Sequence, residues 1–428
     1  MQPKVYFAHQ HGIDPSLIDR DALYVLERLR QAGFIAYLVG GSVRDLLIKK
    51  KPKDFDISTS ARPEQIKAIF QRQCILIGRR FRLAHIRFGH KVIEVSTFRT
   101  GENDSGLIIH DNEWGTPEQD VLRRDFTING LFYDSSNHSI IDYVDGWEDV
   151  QQHTLRVIGE PEVRFKQDPV RLLRLLKFKA RFGFKIDPVT EAAVPLCEKE
   201  IVKSSPARIL EEMFRMLESG SAAPFFRLMA EHNFLAILFP RLMHALHSPQ
   251  GKMVFHYLAC ADQLYHHKGK NTLDRSILTS CLIYPLLEQE IQQRYLNRQH
   301  IPHIGEITMT ASALIKELLI QAFSHFPRRI SSMMITLLVA QYRLTPLSGK
   351  RHYREKLFQH KDFALSLQFL KLRALVDVKY VEVYTSIRNQ YREFNRHGER
   401  KHHPSPREHH LKKKNRSRSS SPTKGEHL

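Results

Sequence analysis

The chain has 428 residues, 42% hydrophobic and 26% charged, which is enough for two or three domains with sizeable cores. Its formal charge of +19 and pI near 9.7 point to a polyanionic partner, because clustered Lys and Arg gain affinity by releasing counterions from nucleic acid. No apolar run approaches the ~20 residues of a spanning helix and MQPKVYFAHQHG lacks a signal peptide's apolar centre, so the expectation is a soluble cytoplasmic protein with no membrane role. Cys74, Cys197, Cys260 and Cys281 lie far apart without CxxC spacing, which argues for free thiols rather than a zinc site or disulfides.

Ser16 to Gln31 carries apolar residues at Leu17, Ile18, Ala22, Leu23, Val25, Leu26 and Leu29, a helical period, with Gly33 as its stop. The apolar run Phe34 to Val39 then reads as a strand, Gly40-Gly41 as a turn, and Val43 to Ile48 as a short helix opened by Ser42. Glycine lets the backbone approach a ligand closely and a helix start presents unpaired N–H groups, so this turn suits triphosphate oxygens. Arg44 would add a charge-assisted contact. After the basic loop Lys49 to Lys53, the strand period of two in Asp54-Phe55-Asp56-Ile57 puts both carboxylates on one face. Two hard oxygen ligands beside a phosphate cradle suit Mg²⁺.

Arg62 to Gln71 reads as a helix, with Ser60 as cap and Pro63 in its first turn. Cys74 to Ile77, Ala84 to Phe88 and Lys91 to Phe98 read as strands of a small mixed sheet. Glu94 faces opposite to Ile93 and Val95; it is a candidate third carboxylate, and a solvated surface charge is an equally good reading. The polar stretch Thr100 to Gln119 reads as a mobile loop over the site, and its His110-Asp111 lacks the companion ligands of a phosphohydrolase. In Asp120 to Leu131, DVLRRDFTINGL, a helix with Val121, Leu122, Phe126, Ile128 and Leu131 buried leaves Arg123, Arg124, Asp125 and Asn129 for a ligand. Arg164 to Phe182 reads as one basic amphipathic helix on which Arg171 and Arg174 share a face. From Pro188 to Asn395 the pattern is almost wholly helical, as in Ala207 to Leu217, Phe225 to Phe239, Ile307 to Phe323 and Ile330 to Tyr342. The tail from Arg396 has ten Lys or Arg against three acids and is rich in His, Ser and Pro, a composition expected to be disordered and to contact RNA without reading bases.

GG-S-VRD-LL followed by DFD resembles the nucleotidyltransferase signature of the bacterial poly(A) polymerase and tRNA CCA-adding enzyme family. RRDFTIN is similar to that family's second motif, and DPVRLLR to its base-selecting motif. The resemblance implies an α+β head with a small mixed β-sheet flanked by helices at 1–150. A helical neck (151–240), a helical RNA-binding body (241–395) and a disordered basic tail (396–428) would follow. It implies transfer of a nucleoside monophosphate from a triphosphate to an RNA 3′ end with Mg²⁺ held by Asp54 and Asp56. Arg124 would bind the nucleotide, together with Gly40, Gly41 and Arg44, and Asp125 would serve catalysis, with Glu94 the alternative third carboxylate. Asp168 and Arg171 would present an edge to the incoming base, with Arg174 in support, although Gln167 stands where the family has an acid. Poly(A) addition from ATP and CCA repair from CTP and ATP compete; Leu76 to Ile86, LIGRRFRLAHI, resembles the segment marking the poly(A) branch. An RNA-binding protein with an inactive head is the alternative of another class. The expected partners are RNA 3′ ends and the RNA-decay machinery, for a monomeric protein.

Overall fold

The computed structural model describes residues 2–78, 83–100, 114–267, 273–323, 325–349 and 357–402, with side chains as far as 396. They form two compact units, Met1–His244 with Ala322–His325, and Ala245–Gln321 with the chain from Phe326. The arginines of the Leu76 to Ile86 segment, the loop around His110-Asp111 and nearly all of the basic tail lie outside the described residues.

In the first unit β1 (Lys4–Tyr6), α1 (Ala8–His11) and α2 (Arg20–Gln31) lead into β2 (Ala36–Val39), α3 (Gly41–Leu47), β3 (Asp56–Thr59) and α4 (Pro63–Phe70). Then come β4 (Cys74–Ile77), β5 (Leu83–Phe88), β6 (Lys91–Thr97), α5 (Pro117–Leu122), β7 (Leu131–Asp134) and β8 (Ser139–Asp142). These strands make one eight-stranded sheet in the order β1-β8-β7-β2-β3-β6-β5-β4, larger than expected because β1, β7 and β8 join it. Every neighbouring pair is antiparallel except β3 and β6, which run parallel.

Register sorts the side chains. Leu38, Ile57, Val95 and Ala84 lie in one row across β2, β3, β6 and β5, all fully buried. α2 and α4 pack against the sheet. One residue along, the opposite parity gives the row Val39, Asp56, Glu94 and His85, so the chemistry stands directly beside a solid apolar core. On that second face Val39, Phe98, Val121, Phe132 and Ile158 form their own core cluster.

The rest of this unit is α6 (Gly146–Gln151), β9 (Thr154–Leu155), α7 (Pro161–Gln167), α8 (Val170–Phe182), β10 (Lys185–Ile186), α9 (Pro188–Cys197), α10 (Pro206–Leu217), α11 (Ala222–Glu231), α12 (Phe234–Leu238) and α13 (Pro240–Ala245). β9 and β10 form a separate two-stranded parallel pair. Glu212 of α10 is buried and accepts from Arg174 Nε at 2.9 Å and Lys177 Nζ at 2.6 Å, pinning α10 to α8. Burial opposes its charge, but the two cations hold its carboxyl below the usual range.

Several expected elements differ. The first helix begins at Arg20, where Asp19 accepts from the Asp21 N–H, and Pro15–Leu17 is a separate 3₁₀ turn. The cap of α4 is Arg62, not Ser60. Arg123, Arg124 and Asp125 are not helical: α5 stops at Leu122, which is 40% exposed rather than buried. Asp125 Oδ1 accepts from the Phe126 N–H, a local bond that competes with the helical ladder. The single helix foreseen from Arg164 to Phe182 breaks at Asp168, because Pro169 has no N–H to donate and disfavours a helical residue before it. Asn233, at φ 64°, divides the run Phe225 to Phe239.

In the second unit α14 (Pro249–His267), α15 (Arg275–Arg294), α16 (Ile304–Ile315), α17 (Arg328–Leu344), α18 (Phe363–Val376) and α19 (Val381–His402) form a helical bundle. α16 continues into a π-helical turn at Lys316–Ile320 instead of running on to Phe323. On α15 every residue from Ser276 to Leu287 is buried, so this helix is the centre on which α14, α16 and α17 pack. Arg373 is buried between the rings of Tyr284 and Tyr380, 4.9 and 4.0 Å from their centroids, and donates to Thr345 Oγ1. Among the described residues no helix is long and apolar enough to cross a membrane.

Removing Glu212 would leave Arg174 and Lys177 without their shared counter-charge. Glu212→Ala is expected to cost about 3 kcal/mol of stability, the lower end for an uncompensated buried charge because Arg174 still reaches water. The check is the urea midpoint at constant slope, and an unmoved midpoint would contradict the pinning role.

Candidate active site

The antiparallel pairing of β2 with β3 sets Val39 opposite Asp56, so the Gly40-Gly41 turn leaves the sheet where the carboxylate strand enters it. Gly40 has φ +65°, and a Cβ there would sit 3.2 Å from Arg124 Nη1; both the backbone angle and the close approach call for glycine. Arg124 is held by Asp120, which is fully buried and accepts its Nη2 at 2.8 Å and Arg123 Nε at 2.9 Å. Burial works against Asp120's charge, but Arg124 and Arg123 keep its carboxyl low. Arg124 also reaches Ser58 Oγ on β3 at 3.3 Å and thus stands next to the carboxylate strand.

Asp54 and Asp56 are exposed and alternate with buried Phe55 and Ile57. Asp56 opens to solvent, yet protein crowds it enough that lost hydration, with the charges of Glu94 and Asp54, pushes its pKa up to about 6. Glu94 is its register partner on β6. Asp125 is engaged elsewhere: its Oδ1 accepts from Asn129 Nδ2 at 2.9 Å and its Oδ2 lies 3.7 Å from Arg174. Arg44 is buried beneath the turn, donating to Asp45 Oδ1 from Nε and Nη2 and to Asn129 Oδ1 from Nη1 at 2.6 Å. Its guanidinium lies 5.0 and 4.7 Å from the ring centroids of Phe178 and Phe182, joining α3 to α8.

Asp168 sits at the break between α7 and α8. Its Oδ2 accepts from Arg208 Nη2 at 2.8 Å, while its Oδ1 is buried with no hydrogen-bond partner. Burial opposes ionisation there, but the Arg208 bond and the charges of Arg208, Arg171 and Arg174 hold the carboxyl low. Arg171 is buried and spends Nη1 on the Arg164 carbonyl and Nη2 on the Arg123 carbonyl, which fixes its plane. Gln167 accepts from Arg164 Nη1 at 3.1 Å, a hydrogen bond to an uncharged amide where the resemblance puts an acid able to form an ion pair.

Asp120, Arg208, Glu212 and His85 did not stand out in the sequence. Asp120 was legible in principle, with arginines three and four residues on. Arg208 and Glu212 come from α10, about forty positions from their partners, and no local spacing announces them. Among the described residues no group of three or more His, Cys, Asp and Glu is placed to hold a metal ion by itself.

A mixed sheet with paired carboxylates at the start of a central strand, a glycine turn beside them and a basic helical neck defines a nucleotidyltransferase. Family models match in chain order: "Poly A polymerase head domain" at residues 36–156, "Probable RNA and SrmB- binding site of polymerase A" at 183–246, and "Polymerase A arginine-rich C-terminus" at 308–424. The chain is 35% identical over 387 residues to poly(A) polymerase I of Escherichia coli O6:H1, covering 86% of this chain and 81% of that protein. It belongs to the poly(A) polymerase family. It is also similar to a CCA-adding enzyme of Lactobacillus helveticus, 39% identical over 197 residues, 46% of this chain and 49% of that one. A solved CCA-adding enzyme of Bacillus stearothermophilus, in complex with CTP, shares the fold with a TM-score of 0.64 and 24% identity, over 89% of this chain and 83% of that chain.

The raised pKa of Asp56 carries a stability consequence. Between its ordinary value of 3.8 and about 6 the folded chain keeps a proton that the unfolded chain has lost, so stability falls as pH rises through that window. Asp56→Asn is therefore expected to raise the melting temperature at pH 7.5 without divalent cations. An unchanged melting temperature would contradict the charge cluster.

Proposed function

We propose that this chain adds AMP from ATP to RNA 3′ ends without a template, releasing pyrophosphate. The observation that carries this reading is the in-register set of Asp56 and Glu94, with Asp54, beside the Gly40-Gly41 turn. The long match to a poly(A) polymerase I supports the choice of substrate, since the curated CCA-adding relative matches only about half of the chain. Loss of Asp54 or Asp56 would favour an inactive RNA-binding head, and both are present.

Asp54 and Asp56 fit Mg²⁺. Their mutual repulsion calls for a cation, and Mg²⁺ needs only one or two carboxylates when waters and substrate phosphates complete its shell. When bound, the metal pair supplies the charge that acidifies the attacking hydroxyl and steadies the leaving pyrophosphate. Gly40, Gly41 and Arg124 receive the triphosphate, and Arg44 supports their turn from below. Glu94 is the third carboxylate and takes the hydroxyl proton, while Asp125, bound by Asn129 and close to Arg174, keeps the second motif and the neck together. Asp168 and Arg171 meet the base, with Arg174 anchored by Glu212 behind them. The helical body and the basic tail bind RNA, and the protein works in the cytoplasm as a monomer alongside the RNA-decay machinery.

Asp54→Ala is expected to reduce AMP addition by about a thousandfold or more while RNA affinity stays close to wild type. Ordinary turnover with Mg²⁺ present would refute the metal assignment. The substrate choice is tested with a generic RNA, a tRNA lacking CCA and each triphosphate separately. ATP should be strongly preferred over CTP and addition should run past a few residues, because leaving buried polar groups unpaired against the wrong base costs about 1–3 kcal/mol each. C-C-A addition that stops at the completed tRNA end would reverse the substrate and leave the site standing.

A further inference from the structure

β3, β6 and β5 set Asp56, Glu94 and His85 side by side, with Glu94 the register partner of both neighbours. His85 Nε2 lies 3.4 Å from Glu94 Oε2, with the two side chains 26% and 44% exposed. A carboxylate can only accept, so the contact is attractive when Nε2 carries the proton, whatever the charge of the ring. A pair this open to water adds little to stability, so holding the sheet together is a poor explanation for it. Its effect is directional. From one side the charge of Asp56 repels Glu94, and from the other His85 attracts it. Both forces favour a Glu94 conformation that keeps Oε2 on the β5 side, at His85.

We propose that His85 is a positioning residue for nucleotidyl transfer, holding Glu94 so that Oε1 receives the proton of the RNA 3′ hydroxyl. As that proton moves, the hydroxyl oxygen bonds to the α-phosphorus of ATP and the bond from phosphorus to pyrophosphate breaks. The inference rests on the adenylyltransferase reading and on Glu94 as third carboxylate. It also gives a physical task to the Leu76 to Ile86 segment, in which His85 lies. That segment is set apart by resemblance alone, whereas the contact with Glu94 is a feature of the fold.

The test compares the full chain with His85→Gln, His85→Asn and His85→Leu, using ATP, Mg²⁺ and an RNA oligonucleotide. A glutamine amide nitrogen reaches the place of Nε2; an asparagine amide stops near Nδ1. His85→Asn and His85→Leu should lose about tenfold or more in kcat with KM for ATP and melting temperature unchanged, and His85→Gln should recover most of the loss. Should the leucine variant not fold, the comparison of glutamine with asparagine decides. An asparagine variant as active as wild type, or a glutamine variant no better than asparagine, overturns the proposal while the function reading stands. A wild-type chain that adds no AMP overturns both.

Discussion

The parallel pairing of β3 with β6 is the contact on which the site depends, because it fixes which side chains share a face at the centre of the sheet. With Asp56 opposite Glu94, the alternation along each strand places Ile57 opposite Val95 on the other face. Those two apolar residues, with Leu38 and Ala84 beside them, are completely buried, and a slip of one residue would drive them to the solvent side. Register is thus secured by the hydrophobic row and used by the charged one. The pairing of β2 with β3 extends the same logic to the glycine turn, which cannot move relative to Asp56 without breaking the row at Leu38.

Around this row the charges are arranged in two different ways. At the carboxylate edge lost hydration and, after it, the neighbouring charges of Glu94 and Asp54 raise the pKa of Asp56. Beyond it every important cation is tied to a counter-charge or a carbonyl: Arg124 to Asp120, Arg44 to Asp45, Arg174 to Glu212 and Arg171 to two backbone oxygens. A frame of paired charges thus surrounds the crowded carboxylates, which is the division expected where a cation and a polyphosphate are to be received.

Much of this was legible in the sequence, but only where the signal was local. The period of two in Asp54-Phe55-Asp56-Ile57 matches the alternation of exposed carboxylates with buried Phe55 and Ile57, although β3 itself begins at Asp56, and Gly40-Gly41 marks the turn, since each depends on adjacent residues. Where tertiary contacts compete with periodicity the reading failed. Arg123 to Asp125 lie in a turn because the Asp125 side chain bonds the N–H of Phe126, and Leu122, apolar in pattern, faces water. The break before α8 was readable, since Pro169 stands in the middle of the foreseen helix and forbids an unbroken one. The placement of Glu94 opposite Asp56 lay outside sequence reasoning altogether, because it turns on which strand pairs with β3 in the folded sheet.

In the neck Asp168 is held although Gln167 stands where the resemblance puts an acid: its Oδ2 accepts from Arg208, across from α10. α10 is itself held to α8 through Glu212, Arg174 and Lys177, so the orientation of Asp168 is referred to a second helix rather than to its own neighbour in sequence. Arg171, locked on two carbonyls, has little freedom to turn and present another edge. The buried Oδ1 of Asp168, which has no partner, then offers one fixed acceptor. A site that must accept two different bases has to rearrange its donors and acceptors, and cross-ties between two helices make such rearrangement costly. That rigidity is the physical ground for expecting a single nucleotide to be preferred.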